Sequence, residues 1–164
     1  MPKVTIGMPV YNAEKYLRKS LSALVSQSFK DFELIISDNA SKDGSSDICK
    51  EYSKIDERIK YVRQPVNIGG WENFKYVLNE AQGEFFMWSA ADDIRSLDFI
   101  ELNYNFLCLN PDYVASTSPN IIEGENQEDH KPICFSLNEN DNFQRYVKFF
   151  DYCWFSHGIF YSLI

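Results

Sequence analysis

Short β-rich runs alternate along this chain with stretches of helical periodicity, and that alternation restricts the fold more than any other feature. Lys3–Val10, Phe32–Ser37, Ile59–Val62, Glu84–Trp88 and Tyr113–Thr117 read as strands rich in Val, Ile and aromatic residues. Between the first two, Leu17, Leu21, Leu24 and Val25 recur at helical spacing up to about Gln27, with Asn12 as the expected cap and Glu14 in the first turn. After the turn Ser41-Lys42-Asp43-Gly44, the next helical stripe is Ile48, Tyr52 and Ile55. Phe74, Val77, Leu78 and Ala81 mark a third helix ending at Gly83, and Leu97, Ile100, Tyr104 and Leu107 a fourth. Parallel strands need long crossovers, and helices supply them here. The expected architecture is α/β: a mostly parallel, Rossmann-like sheet with helices on both faces, in three layers.

Past Pro119 the texture changes. Residues 120–131 are polar and acidic, as in a surface loop or hairpin, and Phe143, Tyr146, Val147 and Phe150 share one helical face. Tyr152–Ile164 is crowded with apolar side chains, which suits packing on the sheet or against a second copy of the chain. With 164 residues and no internal repeat or linker, the expectation is a single domain.

Charge narrows the range of ligands. Lys and Arg total 16 against 24 Asp and Glu, a net charge of −8. Such a chain lacks the basic stripe that nucleic acid or an anionic lipid surface requires. An anionic ligand must then be held locally, by backbone N–H groups or by a metal. The start of the chain reads as no signal peptide, and no window offers 18 uninterrupted apolar residues. Cys49, Cys108, Cys134 and Cys153 form no CxxC pair, so they read as reduced, buried thiols of a cytoplasmic protein.

Ligands of open α/β sheets bind at the carboxyl ends of the strands. Here those ends carry Pro9-Val10-Tyr11-Asn12, Ser37-Asp38-Asn39, Asn67-Ile68-Gly69-Gly70 and Ala91-Asp92-Asp93. Asp92 and Asp93 offer oxygen ligands for Mg²⁺ or Mn²⁺, or else form a solvated helix-entry turn. Asp38 can accept a hydrogen bond from the ring N–H of a base, or cap a local turn. Tyr11 can stack on a flat ring or simply pack. Gly69 and Gly70 permit close backbone approach to a ligand, or mark an ordinary turn. A GxGxxG after the first strand, a GxxxxGK[ST] loop and a GxSxG elbow are all missing. His130 is isolated, and His157 with Asp151 reads more readily as a packed or surface histidine than as a proton-transfer pair.

These residues, in this order, resemble the inverting family 2 glycosyltransferases of GT-A fold. The resemblance rests on residues 4–12 (VTIGMPVYN), 26–41 (SQSFKDFELIISDNAS), Asn67-Ile68-Gly69-Gly70, Gly83-Glu84-Phe85 and Ala91-Asp92-Asp93, and covers about residues 3–118. It implies a nucleotide-sugar donor, with UDP the expected nucleotide. Pro9, Tyr11 and Asn12 would lie at the base, Asp38 would bond its edge, and Asn67 with Gly69 would sit near base and ribose. Asp92 and Asp93 would contact the ribose and hold Mn²⁺ or Mg²⁺ on the diphosphate. Ala90 replaces the first carboxylate of the D-x-D-D pattern, so metal binding would rest on Asp92 and Asp93 alone. Residues 156–161 (SHGIFY) resemble the acceptor-side segment that precedes the family's general base, and no matching carboxylate follows before Ile164. Residues 3–118 are therefore expected to bind donor and 119–164 to begin a truncated acceptor side. The acceptor expected by analogy is a glycan or lipid-linked glycan, with the longer enzyme cytoplasmic or peripheral at a membrane. The alternative is a non-catalytic nucleotide-binding or assembly module, with Tyr152–Ile164 as its interface.

Overall fold

The computed structural model describes residues 1–113, 115 and 116. Four strands form one sheet: β1 (Val4–Val10), β2 (Phe32–Asp38), β3 (Ile59–Arg63) and β4 (Phe85–Trp88). Four helices, α1 (Glu14–Val25), α2 (Ser45–Ile55), α3 (Gly70–Asn79) and α4 (Phe99–Leu109), alternate with them. The strand order is β3-β2-β1-β4, and every pair is parallel. The α/β reading therefore holds.

Parallel strands covered on both faces are apolar throughout, and β2 is buried at every position. Alternate residues serve different layers. Ile35, on one face, packs with Val77 of α3 and Phe86 of β4. The other face carries Ile6, Met8, Leu34 and Ile36, all completely buried. Ile36 pairs with Tyr61 in register, and the Ser46–Tyr61 hydroxyl contact of 2.9 Å places α2 over this second face. Leu17, Leu21 and Leu24 form the wholly buried stripe of α1.

The chain builds β1, β2 and β3 outward in one direction, then crosses back to place β4 on the free side of β1. This reversal makes a topological switch point between β1 and β4, the usual ligand crevice of open α/β sheets. Pro9 accentuates it. Lys3 and Gly7 carbonyls accept hydrogen bonds from Phe85 and Ser89, so by the two-residue period Pro9 faces the same side. Register with β4 ends at Gly7↔Trp88, leaving a residue without an N–H where no ladder bond is required.

Several expectations need correction. Asn12 does not cap α1: its φ is +49° and its Oδ1 accepts the Lys42 N–H at 2.8 Å instead. α3 ends at Asn79, before Ala81 and Gly83. Gly83 serves close packing, since a Cβ there would stand 2.6 Å from the Thr5 nitrogen. Ile55 and Leu97 were read as inward members of their stripes, yet both are exposed, and Leu97 precedes α4. Cys108 is exposed, whereas Cys49 is buried, and burial followed by the nearby Asp38 charge pushes its thiol up to about 12. Of the fifth strand, Tyr113 lies outside any strand and Ala115 makes a single bridge. The remaining expected elements, together with His130, Cys134, Asp151, Cys153 and His157, lie outside the described residues.

Candidate active site at the carboxyl edge of the sheet

The loops after β1 and β2 hold one another. Three N–H groups at the start of α1 are accepted by the second loop: Asn12 N–H by Ser41 Oγ at 3.0 Å, Ala13 N–H by Ser45 Oγ at 2.9 Å, and Glu14 N–H by Asp43 Oδ2 at 3.1 Å. The first loop reciprocates, Asn12 Oδ1 taking the Lys42 N–H and Glu14 Oε2 the Gly44 N–H, each at 2.8 Å. Helix N-termini leave orphan donors that side chains must satisfy. Here α1 takes its caps from the loop before α2, and at the start of α2 Glu14 accepts the Gly44 N–H while Asp43 Oδ1 accepts the Ser45 N–H at 3.0 Å; neither Ncap residue makes a side-chain cap bond. Among the described residues, the two non-glycines with positive φ, Asn12 (49°) and Ala40 (59°), both lie in this clasp. Backbone held in that region costs on the order of 1 kcal/mol per residue and persists where its surroundings enforce it. The clasp fixes the segment that carries Tyr11, a residue 47 % exposed at the edge.

Asp38 ends β2 and is fully buried. Its Oδ1 accepts the Ser41 N–H at 2.9 Å, and its Oδ2 accepts the Tyr61 hydroxyl at 3.2 Å, with Arg63 Nη1 3.7 Å away. The local-turn role left open by the sequence is thus real, and each carboxylate oxygen keeps a second lone pair for a further donor. Asn39 joins the third loop: its Nδ2 donates to Asn67 Oδ1 at 3.0 Å and its Oδ1 accepts the Ile68 N–H at 2.8 Å. Asn67 Oδ1 also accepts the Gly69 N–H at 2.9 Å. Gly69, with φ +89°, and Gly70 both face open space, so a ligand has room to approach the backbone there.

The fourth loop leads out of β4. Asp92 is exposed and Asp93 half-buried, the latter paired with Arg95 at 2.9 Å. Burial pushes the Asp93 carboxyl above its usual range, and the Arg95 guanidinium opposes that shift. Among the described residues no cluster of three or more His, Cys, Asp or Glu is placed to hold a metal. Mg²⁺ is commonly held by one or two carboxylates with substrate phosphates completing its shell. The Asp92-Asp93 pair fits that mode and does not fit an all-protein metal cage.

The structure thus brings Pro9, Tyr11 and Asn12 beside Asp38, and links Asp38 through Asn39 to Asn67 and Gly69. Asp92 and Asp93 follow β4, across the switch point. Sequence reasoning placed Asn39 and Ser41 only within their loops and gave no role to Arg63 or Gln27. Gln27 was the most legible of these: it continues the inward spacing of Leu17, Leu21 and Leu24 as a polar residue, which demands buried partners. Arg63 could not be found that way, because nothing local connects it to Asp38.

A parallel sheet with order 3-2-1-4, flanked by helices and with polar loops at its switch point, is an α/β fold of the GT-A glycosyltransferase type. Residues 5–164 match the family Glycosyl transferase family 2, and the chain belongs to that family. It is 37 % identical over 102 residues to Glycosyltransferase GlyA of Streptococcus pneumoniae, covering 62 % of this chain and 14 % of that protein. It is 35 % identical over 94 residues to the GalNAc(5)-diNAcBac-PP-undecaprenol beta-1,3-glucosyltransferase of Campylobacter jejuni, covering 57 % of this chain and 30 % of that enzyme. The crystal structure of S. aureus TarS 1-349 in complex with UDP-GlcNAc superposes with a TM-score of 0.63 at 27 % identity, over 66 % of this chain and 32 % of TarS 1-349. The chain spans less than half the length of these relatives. Among the described residues no helix is long and apolar enough to cross a membrane.

Proposed function

We propose that residues 3–118 form the donor-binding part of an inverting glycosyltransferase that uses a UDP-sugar, and that 119–164 begin its acceptor side. The carrying observation is the convergence of four strand-end loops at the switch point, two of them clasped and strained around Tyr11 and Asp38. In this reading Tyr11 stacks on the base, with Pro9 and Asn12 shaping that wall. Asp38 accepts the ring N–H of uracil on a free lone pair, and Asn67 with Gly69 borders the base and ribose. The complex of TarS with UDP-GlcNAc supports the choice of uridine. Asp92 and Asp93 would hold Mn²⁺ or Mg²⁺ against the diphosphate. An ion held by these carboxylates would supply positive charge to offset that gathering on the departing nucleoside diphosphate.

In the transfer, an acceptor hydroxyl oxygen bonds to the anomeric carbon from the face opposite the diphosphate. The bond to the diphosphate oxygen breaks, and the configuration inverts. The hydroxyl proton passes to a general base. A glycan or lipid-linked glycan is the proposed acceptor, at the cytoplasmic face of a membrane, in keeping with the undecaprenol-linked substrate in the name of the C. jejuni relative.

Calorimetric titration of UDP, first with Mn²⁺ and then with EDTA, tests this reading. Binding that requires Mn²⁺ and disappears in Asp92→Asn supports it; Asp92 is exposed, so the variant keeps its fold. Failure of the folded protein to bind UDP in either condition overturns it.

A further inference from the structure

The loop bearing Asp92 and Asp93 is pinned at both ends by α1 and the turn that follows α1, and its principal pin is one buried amide. Gln27 is completely buried. Its Nε2 donates to the Ser96 carbonyl at 2.6 Å and to the Ala23 carbonyl at 3.2 Å. Its Oε1 accepts the N–H of Ile100, an orphan donor in the first turn of α4, at 3.1 Å. Asp98, the Ncap residue of α4, makes no side-chain cap bond, so Gln27 caps that helix from across the structure. The neighbouring Ser28 adds two bonds, its N–H to the Leu97 carbonyl at 2.8 Å and its Oγ to Glu101 Oε2 at 2.6 Å. At the other end of the loop, Ser20 Oγ donates to the Ala90 carbonyl at 3.2 Å.

We propose that Gln27 is a positioning residue for donor binding, setting where Asp92 and Asp93 stand relative to the base site. This rests on the nucleotide reading above. α1 is the common reference: its first turn is clasped to the loops holding Tyr11 and Asp38, and its far end carries Gln27. One rigid helix therefore fixes the spacing between the base-binding edge and the diphosphate-binding carboxylates. A leucine at position 27 would satisfy the stripe of Leu17, Leu21 and Leu24 without the cost of burying an amide. The amide's bonds register the β4–α4 loop instead, and misplacement of such a group by about 1 Å costs on the order of a hundredfold in function.

The test compares two ligands that differ in the part this loop would touch. UDP with Mn²⁺ engages both base site and carboxylates, whereas free uracil engages the base site alone. In Gln27→Met, Mn²⁺-dependent UDP affinity measured by calorimetry is expected to fall at least about tenfold. Uracil binding, followed by saturation-transfer NMR, is expected to stay within about twofold because its contacts remain clasped to the start of α1. A merely structural role would weaken both ligands alike. If Gln27→Met lacks a cooperative unfolding transition, Ser20→Ala combined with Ser28→Ala loosens the same loop and takes the same comparison. Equal loss of both ligands, or loss of neither, overturns the inference while leaving the nucleotide reading intact if Asp92→Asn still abolishes Mn²⁺-dependent binding. Absence of UDP and uracil binding in the unmodified protein overturns both.

Discussion

The Glu14 carboxylate accepts the Gly44 N–H at 2.8 Å, and it occupies the space a side chain on Gly44 would need: a Cβ there would lie 2.5 Å from Glu14 Oε1. The first residue of one helix thus caps the next, and the capped residue must be small. Replacing a capping side chain by alanine costs about 1 kcal/mol. Glu14→Ala is expected to lose about that much in urea unfolding. Gly44→Ala displaces the flexible carboxylate rather than meeting a wall, so its cost is similar. Because both variants remove one contact, the double variant should fall short of the sum.

Two closely packed glycines distinguish yielding neighbours from fixed ones. A Cβ on Gly7 would meet Phe86 Cζ at 2.6 Å and Val77 Cγ2 at 2.8 Å, both side-chain atoms. On Gly83 it would meet the Thr5 nitrogen at 2.6 Å, which is backbone within β1. Overpacking costs about 1–3 kcal/mol. Gly7→Ala should fall in that range and be partly rescued by Phe86→Leu. Gly83→Ala should reach its upper end, with no side-chain rescue. Chemical denaturation of the single and double variants checks both statements.

Glu33 contributes to acid stability. Burial opposes its ionisation, but hydrogen bonds from Lys60, Thr5 and the Gln82 N–H outweigh it and hold the carboxyl below its usual range. A carboxylate whose folded-state pKa is lowered adds stability above its unfolded value, near pH 4.3, and loses that contribution as pH falls through the folded value. The unmodified protein should therefore lose stability on acidification below about pH 4.3. Glu33→Gln should be less stable at neutral pH and show a shallower acid limb, as measured by urea midpoints across pH 3–7.

Much of this was legible in the chain because the determinants were local. The β2 run Phe32–Asp38 is short and centred on Leu34, Ile35 and Ile36, as suits an inner parallel strand, and Leu17, Leu21 and Leu24 repeat at helical spacing. The misreadings came where tertiary pairing overrides local chemistry. Asn12 has the chemistry of a cap, yet caps a loop some thirty residues away because β1 and β2 bring the two strand ends together. Gly83 follows helical residues, as a C-cap glycine does, but its small size answers to Thr5, a contact set by sheet order. The loops of the candidate site could be gathered from the sequence alone, since every parallel strand delivers its carboxyl end to one edge. The bonds among them could not, because Asp38–Arg63 and Gln27–Ser96 depend on where crossovers land.

Asp38 allows its structural and ligand-binding roles to be separated. Its Oδ1 must accept the Ser41 N–H, and its Oδ2 takes the Tyr61 hydroxyl, with Arg63 at the longer distance of 3.7 Å. In Asp38→Asn the amide oxygen can keep Ser41, and the amide nitrogen can donate to the Tyr61 oxygen, since a phenol both donates and accepts. Only the 3.7 Å approach of the half-exposed Arg63 is lost, and its guanidinium can turn to solvent, so the loss is at most about 1 kcal/mol. Stability should therefore change little. Binding should change much more, because an amide N–H now faces the uracil ring N–H, donor against donor, and a buried unsatisfied donor costs about 1–3 kcal/mol. UDP affinity is expected to drop about tenfold to a hundredfold, in line with that cost. Asp38→Ala, by contrast, abandons Ser41 and Tyr61 together and should lose both stability and binding. Urea unfolding and UDP titration of the two variants provide the comparison; undiminished UDP affinity in Asp38→Asn would confine Asp38 to the turn it caps.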